Sequence, residues 1–346
     1  MTVSAAIFGA SGYTGQELIR ILSGHPQVEL VAVTSRRYSG ASVSEVYPSL
    51  SGLTSLKYSN ATPEEIAAFC DVVFLALPHG VSMGIAPIFI RAGKKVIDLS
   101  ADYRLRDRAT YEKWYAGHTS ADLFGEAVYG LPELYRRDII QSRLVANPGC
   151  YPTSIILGLA PALKKGILDV SSIIADSASG VSGAGRDPVV GSLFCEVDGG
   201  FKAYKVGKHR HTPEIEQELN ALAGENFAVS FTPHLLPVKR GILSTIYATL
   251  AKNLSSDELH DLYASFYQDE KFVRICSAGT YPNISSVCGS NYCDIGLVLD
   301  PRTNRVIILS AIDNLIKGAA GQAVQNMNLV CSLPEDCGVP ALSLYP

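Results

Sequence analysis

The chain of 346 residues is 47% apolar, and its 29 basic and 33 acidic side chains leave a net charge of −4. That length suits two ordinary domains, each with its own core. Lysine and arginine are scattered and no apolar run reaches about 18 residues, which speaks against a nucleic-acid binder and against a chain that binds or spans a membrane.

In chain order, "MTVSAAIFGASGYTG" enters a strand and a glycine loop almost at once, without a secretory n-region or h-region, so a cytoplasmic protein is expected. "YTGQELIRILSG" reads as a helix closed by Gly24, and "VELVAVTS" as the next buried strand. "CDVVFLALP", "KKVIDLS" and "RLVANPG" are further strands, with the helical "GVSMGIAPIFIRAG" among them. Strands alternating with helices over about 150 residues predict an α/β Rossmann-type doubly wound domain with a parallel sheet.

After Cys150 the texture changes. "SSIIADSASG", "FAVSFTPHLLPV", "GILSTIYATL", "CDIGLVLD" and "RVIILSAID" are longer strands with few helices between them. They predict an α+β domain on a mainly antiparallel sheet, one face packed on helices and the other open to an interface. "DNLIKGAAGQAVQNMNLV" is helical and is expected to return to the first domain. The expected spans are 1–149, completed by 313–346, and 150–312. The tail "CSLPEDCGVPALSLYP" carries no motif.

The turn Gly9, Ser11, Gly12, Tyr13, Thr14 and Gly15 joins a strand to a helix, where main-chain amides at a positive helix end can approach a pyrophosphate. The alternative is a tight turn without ligand. The second strand ends in Ser35, Arg36 and Arg37 rather than in an acid, which favours the 2′-phosphate of NADP over the free ribose of NAD. Two solvated arginines are the plainer reading.

Cys150 stands in "NPGCYPTS", with the helical "SIILGLAPALKK" expected to begin a few residues later. A thiol near a helix N-terminus gains thiolate character, so Cys150 is the candidate nucleophile; a small residue fitting a domain junction is the alternative. A proton-transfer partner is offered by "KHRHTPEIEQEL". Thr212 reads as helix N-cap and Pro213 as first helical residue. That leaves His211 just outside the positive helix end, which favours the neutral ring, with His209 on the same face of an extended approach. Histidines on a short loop are also ordinary surface residues. Arg104 in "DLSADYRL" could hold an anionic group, and Ser182 and Gly183 in "SASGVSGAGR" could lie against a ring or phosphate. The eight cysteines are irregularly spaced and read as thiols. Cys288 and Cys293 lie too far apart for a C-x-x-C pair, so no metal is expected.

These stretches, with "LALPHG", "YGLPEL", "HLLPVKRGI" and "DNLIKGAAGQAVQN", resemble the N-acetyl-gamma-glutamyl-phosphate reductase family, related to the aspartate-semialdehyde dehydrogenases. The resemblance covers nearly the whole chain. It implies NADPH-dependent reductive dephosphorylation of an N-acetylated gamma-glutamyl phosphate through a cysteine thioester, in a homodimer or homotetramer. It also implies Cys150 as nucleophile, His211 or His209 as acid–base group, Arg104 and Glu214 toward the substrate, and Ser182, Gly183 and Asn314 toward the cofactor. A semialdehyde dehydrogenase for another acyl phosphate and a non-catalytic NADP-binding redox sensor are the competing readings.

Overall fold

A computed structural model describes residues 2–120 and 122–345. Met1, Ala121 and Pro346 lie outside them, and with them the outermost residues of the expected spans. The chain divides into two compact units, Met1–Pro148 with Ala319–Pro340, and Gly149–Gly318 with Ala341–Pro346. The crossings thus lie at 148/149, 318/319 and 340/341, so the expected completion of the first domain by 313–346 narrows to 319–340.

The first unit holds seven parallel strands: β1 (Val3–Phe8), β2 (Val28–Thr34), β3 (Tyr58–Ser59), β4 (Val72–Leu75), β5 (Lys95–Asp98), β6 (Val128–Tyr129) and β7 (Leu144–Ala146), in the order β3-β2-β1-β4-β5-β7-β6. That is a doubly wound sheet whose strand order reverses between β1 and β4, the place where such sheets bind ligands. Phe8, Val73 and Leu75 share a core with Met83, Ala86 and Phe89 of the helix Ser82–Arg91.

The returning helix Gly321–Val330 is buried along its whole length. Three of its side-chain amides donate to main-chain or side-chain acceptors, while the buried Oδ1 of Asn326 finds no hydrogen-bond partner. Asn326 donates to the Gly130 carbonyl (2.8 Å) and to Asn147 Oδ1 (3.0 Å), Asn328 donates to the carbonyls of Glu335 and Cys337, and Gln325 reaches Glu335 Oε1 (2.7 Å). Buried amides without such partners would each cost about 1–3 kcal/mol. Glu335 also pairs with Arg136 (2.8 Å), so part of the tail without a motif is a strap across this unit.

The second unit contains β8 (Leu168–Gly180), β9 (Lys202–Ala203), β10 (Ser230–Leu236), β11 (Ile242–Leu250), β12 (Val273–Ile275), β13 (Cys293–Asp300) and β14 (Arg305–Ile312), ordered β12-β13-β14-β11-β8-β10-β9. Most pairings are antiparallel; β10 on β8 and β12 on β13 are parallel. Residues of β11 alternate between buried and half-buried, as expected when one sheet face carries helices.

The helix Cys150–Lys165 packs on that sheet. Pro161 withholds the N–H that Leu157 would normally accept four residues back, and the buried Tyr267 hydroxyl donates to the Leu157 carbonyl instead (2.5 Å). Tyr263 does the same for Gly158 (2.7 Å). Below the helix, Ser154 donates to Ser244, which bonds Ser177 in turn, at 2.8 and 2.7 Å.

Candidate active site

In the first unit, Gly9 leaves β1 with φ +79°, and a Cβ there would lie 2.3 Å from the Ala76 carbonyl oxygen. Only glycine lets the turn close onto the end of β4. Gly12 then caps the helix Tyr13–Ser23 without a side chain, and no acid occupies the first turn. A Cβ at Gly12 would project into nearly open space, so its absence leaves the partly exposed first turn, Tyr13 and Thr14 included, open to an anion. Gly15 lies flat on Ala10, where a Cβ would come within 2.5 Å of the backbone. Ser11 Oγ bonds Ser35 Oγ at 2.8 Å, joining this turn to the end of β2, where Arg36 stands exposed. The residues fit a dinucleotide carrying an extra phosphate: amides for the pyrophosphate, and a hydroxyl and guanidinium at the ribose side.

Arg104 of the same unit is buried. Its Nε donates to the Asn147 carbonyl (2.7 Å) and its Nη2 to that of Leu99 (2.8 Å). Asn147 is held by its other polar groups too. Its N–H donates to Asp98 (2.8 Å), its Nδ2 to Ala319 (3.2 Å), and its Oδ1 accepts from Asn326. The loop bearing Arg104 is fixed by Asp102, whose carboxylate accepts from the amides of Gly80 and Met83 and from the Tyr111 hydroxyl. Burial, then Asp102, pushes the neighbouring Asp98 carboxyl up to about 6.

In the second unit, the helix begins at Cys150 itself, with Gly149 as N-cap; the expected start a few residues later is corrected. Pro152 falls in the first turn, where the amide has no helical acceptor to lose. The half-buried Cys150 thiol therefore sits on the positive end of a helix of 16 residues, with no acid in the first turn to offset it. Gly149 N–H donates to Oε1 of Glu214, a buried carboxylate (2.7 Å).

Gly149 also lies against His211, since a Cβ on it would be 2.6 Å from the ring Nε2; one on Gly318 would be 2.7 Å from Cys150 Cβ. His211 is the N-cap of the helix Thr212–Ala223, in place of the expected Thr212. The local turn decides this: His211 has already entered the helical region (φ −79°, ψ −13°), so Thr212 is the first helical residue. His209 has its ring beside that of His211, with centroids 4.8 Å apart. Its Nδ1 accepts from the His211 amide (3.1 Å), and its ring is edged by Tyr151, Tyr204 and Phe231. Burial there pushes His209 down to about 4, with Lys205 and Arg210 acting in the same direction.

Asn314 is also buried. It accepts from the Gly241 amide (2.8 Å) and donates to Ser182 Oγ (2.9 Å), tying down the Val181–Ala184 turn that carries Ser182 and Gly183. Tyr151 and Tyr204, whose hydroxyls meet at 2.9 Å, were missed in the sequence. The adjacency of Tyr151 to Cys150 was the available signal; nothing local points to Tyr204.

The family model for the semialdehyde dehydrogenase NAD binding domain matches residues 4–142, and that for the semialdehyde dehydrogenase dimerisation domain matches residues 150–314. A protein of Desulfotalea psychrophila called N-acetyl-gamma-glutamyl-phosphate reductase is 58% identical over 99% of this chain and 100% of its own length. One of the same name from Pelotomaculum thermopropionicum is 58% identical over 100% of both chains. The chain belongs to the N-acetyl-gamma-glutamyl-phosphate reductase family. It is an oxidoreductase of the semialdehyde dehydrogenase class. The family fold extends to distant structures. Aspartate semialdehyde dehydrogenase II of Vibrio cholerae has a TM-score of 0.74 at 16% identity, covering 96% of this chain and 99% of that one. The Candida albicans aspartate semialdehyde dehydrogenase with NADP has a TM-score of 0.69 at 18% identity, with the same coverage. Among the described residues no His, Cys, Asp and Glu cluster could hold a metal ion, and no helix is long and apolar enough to cross a membrane.

Two outcomes follow from the cysteine helix and its histidines. Gly149→Ala should displace the His211 ring and lower kcat about a hundredfold, the scale of a misplacement near 1 Å, with NADPH affinity measured by fluorescence unchanged. His209 binds its proton at about 4 when folded, against 6.5 ordinarily. Above 6.5 both states are neutral and nothing is lost. As pH falls from 6.5 toward 4 the unfolded chain takes up a proton that the folded chain refuses, and stability falls. His209→Gln should flatten that part of the curve of unfolding free energy against pH; an unchanged slope would assign the loss to other groups.

Proposed function

We propose that the chain catalyses NADPH-dependent reductive dephosphorylation of N-acetyl-gamma-glutamyl phosphate to N-acetyl-glutamate semialdehyde, in arginine biosynthesis, through a thioester on Cys150. The observation that carries this reading is the seating of Gly149. Its amide is on Glu214 and its Cα is against His211, and Cys150 follows at the positive end of the helix. The family membership supplies the reaction class, and the close relatives' name supplies the substrate.

His211 takes the thiol proton, and the thiolate, favoured by the helix amides, attacks the acyl carbonyl carbon. The bond from that carbon to the phosphate oxygen breaks, inorganic phosphate leaves with the electron pair, and a thioester remains on Cys150. NADPH, when bound, supplies a hydride. The resulting thiohemiacetal oxygen takes a proton from His211 or gives one back, and rupture of the C–S bond frees the aldehyde and returns the thiolate. Glu214 and Arg104 also act as positioning residues: Glu214 Oε1 holds the Gly149 amide, and Arg104 Nε holds the Asn147 carbonyl. Asn314 acts in the same way on the turn that carries Ser182 and Gly183, residues we assign to cofactor binding. Tyr204, its hydroxyl pushed up to about 12 by burial, and Tyr151, pushed up likewise, stay protonated and wall the histidines. Gly9, Gly12 and Gly15 cradle the pyrophosphate, and Ser35 with Arg36 takes the 2′-phosphate. The protein works as a homodimer or homotetramer in the cytoplasm.

The direct assay runs the reaction backwards, with the semialdehyde, inorganic phosphate and NADP⁺, following NADPH absorbance. Dependence on both phosphate and the N-acetyl group is expected; turnover with unacetylated aspartate semialdehyde alone would refute the substrate. His211→Asn should lower kcat by about 10²–10⁴. A loss of that size in His209→Asn with an active His211→Asn would exchange their roles. Arg36→Asp should weaken NADPH binding by about 1.5–3 kcal/mol and NADH binding much less, as titrations of both cofactors would show.

A further inference from the structure

β14 ends at Ile312, and the residue after it, Asp313, is fully buried. Its Oδ1 accepts from the amides of Leu315 (2.8 Å) and Ile316 (3.2 Å), as an aspartate at the start of a helical turn ordinarily does. The rest of the residue is used differently. Oδ2 accepts from the Gly289 amide (2.7 Å), 24 residues earlier in the chain, and the Arg240 guanidinium lies 3.6 Å from it. The Asp313 carbonyl accepts from the Gly318 amide (2.9 Å), five residues on rather than four, in the π-helical turn Ile316–Ala320. Single π turns are frequent at functional sites. Here the turn lays Gly318 against the nucleophile: a Cβ on Gly318 would lie 2.7 Å from Cys150 Cβ and 3.2 Å from its Cα. Only a glycine backbone comes that close to another residue.

We propose that Asp313 is a positioning residue for the nucleophile, fixing the Gly318 turn that backs the Cys150 side chain. Its bearing on turnover rests on the thioester chemistry above, whereas its hold on the thiol does not. The helix end and Glu214 fix the main chain around Cys150, but the sulfur can still turn about the Cα–Cβ bond. Backbone packed this closely on the Cβ removes part of the space into which the sulfur could turn. Asp313 anchors that backbone from two sides, by its carboxylate on the Gly289 amide and by its carbonyl on the Gly318 amide. A carboxylate is needed for this, and an amide of the same shape is not enough. Asparagine has one acceptor oxygen, so its NH₂ group would face either the Gly289 amide or those of Leu315 and Ile316, donor against donor. Buried donors left without acceptors are costly enough to move the turn.

The test is the rate at which iodoacetamide alkylates Cys150 over a pH series, read by mass on the peptide containing "NPGCYPTS", beside kcat in the reverse assay. Asp313→Asn and Gly318→Ala should each lower the alkylation rate and kcat about tenfold, and move the midpoint of the alkylation profile toward higher pH. Both act on one contact, so the double variant should be about as slow as the slower single. Ser255→Ala removes the side-chain cap of the helix Ser256–Phe266 in the same unit; it should lower Tm and leave both rates at the wild-type level. Single variants with wild-type rates, or a double variant whose losses multiply, would overturn the proposal. A matching loss in Ser255→Ala would also overturn it, since lost stability alone would then explain the effect. Gly318→Ala leaves Asp313 in place, so wild-type rates in that variant would refute the contact even if Asp313→Asn did not fold. Alkylation requires no turnover, so failure of the catalytic reading would appear separately, as a wild type inactive in the reverse assay.

Discussion

The site depends on the chain being held rigidly where "NPGC" leaves β7. Asn147 has all four of its polar groups engaged within the first unit, by Arg104, Asp98, Ala319 and Asn326. Two residues on, Gly149 is engaged within the second unit by Glu214 and lies flat on His211. A thiolate works only when its carbon backbone cannot drift, since reacting atoms must meet within a few tenths of an ångström. Asn147 is fixed by the network of the first unit and Gly149 by that of the second.

The same economy appears at the nucleotide turn. Gly9 brings the backbone down on the end of β4, and Gly12 leaves the amides of the following helix uncovered. An anion at that point satisfies donors that no side chain caps. At the nucleophile the helix end does similar work for a thiolate. In both places a glycine cap and an acid-free first turn keep the positive end of the helix for a negative charge, one supplied by a ligand and the other by the chain.

Much of this was legible in the sequence. Apolar runs ending at Gly9, Thr34, Leu75 and Asp98 mark parallel strands because both faces are buried, and the alternation in "GILSTIYATL" marks a half-covered one. Less legible was what depends on context. The helix start at Cys150 was hidden by Pro152, a residue that breaks helices in their interior and is harmless in a first turn. The capping role of His211 turned on one pair of backbone angles. The charge of Arg104 and Glu214 is visible in the sequence, whereas the carbonyl and the amide they meet 43 and 65 residues away are not. Tyr204 reaches Tyr151 across 53 residues, a pairing no local pattern reveals.

The central claim is that Cys150 alone carries the acyl group, held ready by the helix end and served by His211. The measurement that tests it most directly is the mass of the enzyme's peptides after mixing with acyl phosphate in the absence of NADPH. One acyl group should appear, on the peptide containing "NPGCYPTS", and it should disappear when NADPH is added. An adduct on Cys195 or Cys288, or turnover by Cys150→Ser, would contradict the account.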